Sequence, residues 1–268
     1  MPKPVWPAHH QPSLQPLCRW VGVLSLALVG TAAMAADYVP IMGGAIVSVL
    51  AGDADRNATP VEPFAMRTTP VTRAEFAGFL QSHPQWQPAR VARVFADSTY
   101  LQDWNAQSPD PALAQSPVTQ VSWFAAQAFC EAEGGRLPTW LEWEYAAAAD
   151  ATRTDARGDP QWLAKILGWY ARPASTALPA VGGAPNVYGV RDLHGLIWEW
   201  VDDFNALLVN PDSRSQEDAD KLKFCGAGAI NLKDRDNYAV LMRIALLSSL
   251  DATASTSSLG FRCVRPSP

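Results

Sequence analysis

The sequence predicts a loop-rich α+β domain, and three observations lead to that class. A β-branched run, YVPIMGGAIVSVL (Tyr38–Leu50), reads as strand around a Gly-Gly turn, either a hairpin or a bulged strand. Two S/T-x-x-E boxes, Thr72-Arg73-Ala74-Glu75 and Thr139-Trp140-Leu141-Glu142, open short helices. Between these elements lie long stretches rich in Pro, Gly, Ala and Asp with no sustained period. Loops that long need a disulfide, an ion or heavy aromatic packing to hold them.

The elements follow in order. Lys3 and Arg19 precede an apolar run, Trp20–Gly30, and then Ala33-Met34-Ala35. Basic residues, a short apolar core and small residues make a secretory leader, residues 1–35, cleaved after Ala35. The run is too short to span a bilayer, and Cys18 lies ahead of it rather than at a lipidation point. The competing reading is an uncleaved anchor. Residues 36–268 then form a single domain, exported to the periplasm or secreted, with no later segment apolar enough to enter a membrane.

Removing thirty-five residues from 268 leaves 233, ample for a buried core. The leader carries two bases and no acid, so the formal charge moves from −5 to −7. Such a balance argues against a nucleic-acid partner and leaves a periplasmic protein or a small molecule.

After Thr72, the residues Phe76, Phe79 and Leu80 share one helical face, and Pro84 follows the helix. Pro88–Pro117 reads as loop. Ser122 can cap a helix whose Ala125, Phe129 and Ala132 share a face, ended by Gly134-Gly135. The second box opens a helix running through Ala149. Residues 151–185 read as a long irregular connection and Asn210–Lys221 as an exposed acidic loop.

Residue counts limit the chemistry. Without the leader, the cysteines are Cys130, Cys225 and Cys263, and the histidines are His83 and His194. Two of three thiols are expected to pair in an oxidising compartment. Three imidazoles cannot converge on one ion. A site of His83, His194 and a carboxylate is possible by count only, since one histidine lies in a helix-end turn and the other in a loop. Asp202-Asp203 and Asp234/Asp236 are acid pairs of the kind that solvate or cap helices. No Ser/His/Asp or Cys/His arrangement can be assigned, and Val181-Gly182-Gly183 precedes no helix that would make it a phosphate loop.

The stretch DLHGLIWEW (Asp192–Trp200) sets Glu199 between two tryptophans. As a strand it turns Trp198 and Trp200 to one side and Glu199 to the other. A carboxylate so placed needs a cation, either an arginine or a hard metal ion.

Three motifs, PVTQVSWFAAQAFCEAEGGRLPTWLEWEYAAAA, NVYGVRDLHGLIWEWVDDF and SLGFRCV, resemble in this order the formylglycine-generating enzyme family, whose fold is related to C-type lectins. Within that family the chain looks most like exported members that accompany nitrite reductases or act in pyoverdine maturation, through RVFADSTYLQDW, FCGAGA and DNYAVLMR. The resemblance implies a structural calcium bound by the side chains of Asp192 and Glu199 and the carbonyls of Gly195 and Ile197. It also implies a Cys130–Cys263 disulfide and a place for Trp198 in the substrate pocket. The alternatives are an arginine partner for Glu199, buried free thiols, and a core role for Trp198. Leu196 departs from the family's usual Asn.

Copper-dependent members carry two cysteines five positions apart ahead of R-x-x-x-R-S, since paired thiolates suit Cu(I). Here those positions are Asp234 and Ala239 ahead of Arg243, and Leu247 stands for the second arginine. Copper and iron are therefore not expected, nor is formylglycine formation. Cys225, Asp234 and Arg243 remain the catalytic candidates. The function these residues suggest is an exported accessory or maturation protein that assists a periplasmic redox enzyme or oxidises a periplasmic substrate. The alternative is a non-catalytic, calcium-stabilised, lectin-like binding module.

Overall fold

A computed structural model describes residues 37–48, 58–104, 110–170, 177–205 and 238–267. By internal contacts the chain divides into Met1–Ala35 and Ala36–Pro268. The first unit, where the leader was read, lies outside the described residues, as do Cys225 and Asp234. Among the described residues no helix is long and apolar enough to cross a membrane.

The fold of the second unit is α+β with short elements. Strands β1 (Tyr38–Ile41), β4 (Phe64–Arg67) and β7 (Val264–Pro266) form an antiparallel sheet in the order β1-β4-β7. Strands β2 (Gly44–Ile46) and β3 (Thr59–Val61) pair separately, and β5 (Trp198–Glu199) runs parallel to β6 (Leu259–Gly260). The Gly43-Gly44 turn is therefore not a hairpin. It hands the chain from one sheet to another, because β1 finds its partner in β4 rather than in β2. Gly43 needs its small size: at φ 71° a Cβ would lie 2.2 Å from the Val61 carbonyl.

Helix α1 (Arg73–Ser82) starts at the expected capping box, with Thr72 accepting from the Glu75 amide and Glu75 accepting from the Thr72 amide. Phe76, Phe79 and Leu80 are buried. Helix α2 (Trp123–Ala132) is capped by Ser122, and it buries Ala125, Ala126, Phe129 and Cys130. Ala132, expected on that face, is exposed at the helix end. Helix α3 (Trp140–Ala147) carries the second capping box and stops two residues short of Ala149.

Residues 151–185 are not wholly irregular. Pro160–Tyr170 form a helix, α4, whose first turn is capped by Asp159 through the amides of Gln161 and Trp162. Pro at the first helical position favours that start. Helix α5 (Tyr238–Ser248) precedes the final strands.

Phe76, Phe79, Phe129 and Phe261 form an aromatic core between α1, α2 and the C-terminal segment, with ring centroids 5.4–6.1 Å apart. Beside it Cys130 on α2 is bonded to Cys263, closing a sequence separation of 133. A loop of that size gains about 5 kcal/mol by the chain-entropy estimate.

Candidate functional site

Glu199 is the organising residue of the DLHGLIWEW stretch. It is fully buried, and so is its partner, Arg262 of the SLGFRCV motif. The arginine fork meets the carboxylate at two points, Nε to Oε2 at 2.8 Å and Nη2 to Oε1 at 2.7 Å. Oε2 also accepts the indole N–H of Trp143 at 2.9 Å. The remaining Arg262 donors reach the carbonyls of Arg67, Thr68 and Arg191. One guanidinium thus ties the end of β4, the Arg191 turn and its own C-terminal segment to one carboxylate. The bidentate geometry fixes direction as well as charge.

A second buried cation lies on the other side. Arg243 of α5 donates to the Glu199 carbonyl, and its guanidinium stacks 3.5 Å from the centroid of the Trp143 ring. Trp143 therefore serves both groups, its N–H to Glu199 and its face to Arg243. The adjacent Trp140 gives its indole N–H to Glu144, another buried acid, which also accepts from Ser48 at 2.6 Å.

Asp192, expected to share an ion with Glu199, is turned elsewhere. Its backbone is left-handed at φ 61°, and its carboxylate accepts the amides of Gly182 at 2.7 Å and Gly183 at 3.0 Å. Arg191 reinforces the same junction by donating to the Gly183 carbonyl. The Val181-Gly182-Gly183 stretch is thus an anion cradle for the protein's own aspartate. Among the described residues no three His, Cys, Asp or Glu side chains converge as a metal set. The two side chains implied for calcium do not fit that role as arranged here: both oxygens of Glu199 hold Arg262, and Asp192 serves a different turn.

His194 points into the packing, not toward an ion. Its Nε2 lies 2.8 Å from the Ala147 carbonyl, and Trp143 and Trp162 meet it edge-on with centroids 5.7 and 5.5 Å away. Burial, the largest influence, pushes its pKa down to about 4. The imidazole is therefore neutral near pH 7. His83 closes α1, stacked on Phe79 at 4.5 Å. Asp203 caps α3 by accepting the Trp140 amide at 2.7 Å, and burial raises its carboxyl above the ordinary value.

The two tryptophans of the motif part ways. Trp200 is fully buried, with its N–H on the Val121 carbonyl. Trp198 is only partly buried and lies against Trp169 of α4, with centroids 5.5 Å apart. Sequence reasoning named Trp198 but missed Trp162, Trp169, Trp143 and Arg262. The first two lie on α4, in a stretch whose composition predicts an irregular connection. The spacing of Trp162, Ile166 and Trp169 behind Asp159-Pro160 was the signal available for them.

Residues 27–267 match the model of the sulfatase-modifying factor enzyme 1-like domain, and the chain belongs to that family. It is 28% identical over 261 residues to the formylglycine-generating enzyme of Streptomyces coelicolor, covering 79% of this chain and 81% of that protein. It is 32% identical over 162 residues to the hercynine oxygenase of Mycolicibacterium smegmatis, covering 52% of this chain and 37% of that one. Mouse inactive C-alpha-formylglycine-generating enzyme 2 is 26% identical over 251 residues, with 79% and 78% covered.

Proposed function

We propose that this protein is an exported accessory or maturation factor of its family, acting in the periplasm on a redox enzyme or oxidising a periplasmic substrate there. The observation that carries the reading is the pair of positions ahead of Arg243. Asp234 and Ala239 stand where copper-dependent members place their thiols, so the thiolate chemistry of those members is missing while the framework around Glu199 is kept. Trp198, which the family resemblance assigns to the substrate pocket, is only partly buried and lies against Trp169. The Cys130–Cys263 bond suits an oxidising compartment. A relationship to an oxygenase supports the oxidising branch of this reading.

The test is genetic and chemical together. Deleting the gene should change the cofactor loading or side-chain oxidation of a periplasmic redox protein, measured by mass spectrometry on the periplasmic fraction. The wild-type gene should restore it and Trp198→Ala should not. Formylglycine produced on a sulfatase-motif peptide by the purified protein, or no change in any periplasmic protein, would overturn the proposal.

A second reading, a non-catalytic binding module, is favoured by the family's inclusion of a relative named as inactive. It predicts that the purified protein binds its client without altering the client's mass.

A further inference from the structure

We propose that guanidinium groups, and not a calcium ion, pin the Asp192–Glu199 loop of this chain: Arg262 holds the Glu199 carboxylate and Arg243 holds its carbonyl. The geometry gives three independent reasons. A hard cation needs carboxylate and carbonyl oxygens that face a common point. Both Glu199 carboxylate oxygens instead face Arg262, at 2.7 and 2.8 Å, and one also holds the Trp143 indole. The Asp192 carboxylate is spent on two backbone amides of another turn, 2.7 and 3.0 Å away.

The second reason is charge. The Glu199 carboxylate is already paired with one cation, and both groups are fully buried. A divalent ion on that carboxylate would sit beside the Arg262 guanidinium, and low local dielectric strengthens that repulsion.

The third is reach. An ion bridging Asp192 to Glu199 would tie only the loop to itself. Arg262 ties it to Arg67 and Thr68 at the end of β4, and to the C-terminal segment that carries the disulfide. Arg243 adds α5 to the same junction. The arginines therefore join more of the fold than a local ion could, and the loop holds its shape without metal.

The test uses the purified full-length mature protein with calcium alone, and with terbium as a calcium surrogate excited through nearby indoles. The thermal midpoint should be the same in excess chelator and in millimolar calcium. Tryptophan-sensitised terbium emission should be no stronger in wild type than in Asp192→Ala, which removes the side-chain oxygen that an Asn would still offer to calcium. A saturable, chelator-reversible rise in midpoint that Asp192→Ala abolishes would overturn the proposal, as would terbium emission lost in that variant. A calcium effect shared equally by wild type and Asp192→Ala places the ion away from Asp192 and stands with the proposal.

Discussion

Two arginine–carboxylate pairs in this molecule share one chemistry and opposite surroundings. Arg262 and Glu199 are both fully buried. Arg153 faces Asp150 and Asp159 on the surface, its own side chain 47% exposed. The surface trio satisfies its hydrogen bonds locally, with Asp150 also accepting the amides of Thr152 and Arg153. Its Arg153 partner holds the Asp150 carboxyl well below the usual range. Yet water can replace each of those contacts, and exposed pairs contribute little. In the buried pair nothing can replace them. A lost partner there leaves a charge without solvent, so the same chemistry changes from ornament to keystone.

That contrast is sharpest when one charge is removed. Glu199→Gln should lower unfolding stability by about 3–5 kcal/mol, because Arg262 stays buried without a counter-charge. Denaturant titration followed by tryptophan fluorescence measures it, and a loss no larger than that of a surface variant would break the comparison.

Next comes the disulfide, which anchors the residue beside Arg262. Cys130→Ser with Cys263→Ser should lose about 2–5 kcal/mol in the same titration. A loss indistinguishable from zero would show that the crosslink constrains neither the unfolded chain nor the C-terminal segment.

The third effect depends on pH. His194 packs against the Trp143 ring that serves Glu199, and its folded pKa is about 4 against an ordinary 6.5. The folded state therefore binds fewer protons than the unfolded chain between those values. Stability should be full above pH 6.5 and decline as pH falls toward 4, with no further contribution from this group below that. In His194→Gln the slope over that window should flatten when melting is followed across pH. The smallest effect belongs to the surface: Arg153→Ala should leave the denaturation midpoint unchanged within the precision of the measurement.

What could be seen in the sequence was local. Thr72 and Glu75, or Thr139 and Glu142, are three residues apart, so a capping box is written entirely within one turn. The Ser122 cap and the buried face of α1 follow from the same short range. The strand pairing was not visible in the Tyr38–Leu50 run, since two neighbouring strands found partners in β3 and β4. Helix α4 was missed because its start signal sits in a stretch dominated by Ala, Pro and Asp, which masked the spacing of Trp162, Ile166 and Trp169.

The sequence by itself determined the fold class, the family through three ordered motifs, and the need of Glu199 for a cation. It could not name that cation. Arg191 lies nearest along the chain, yet the structure gives the role to Arg262, 63 residues away. Only tertiary structure decides such a pairing, because a buried charge takes whichever partner the packed backbone brings within reach with its hydrogen bonds complete. Sequence distance carries no weight in that choice.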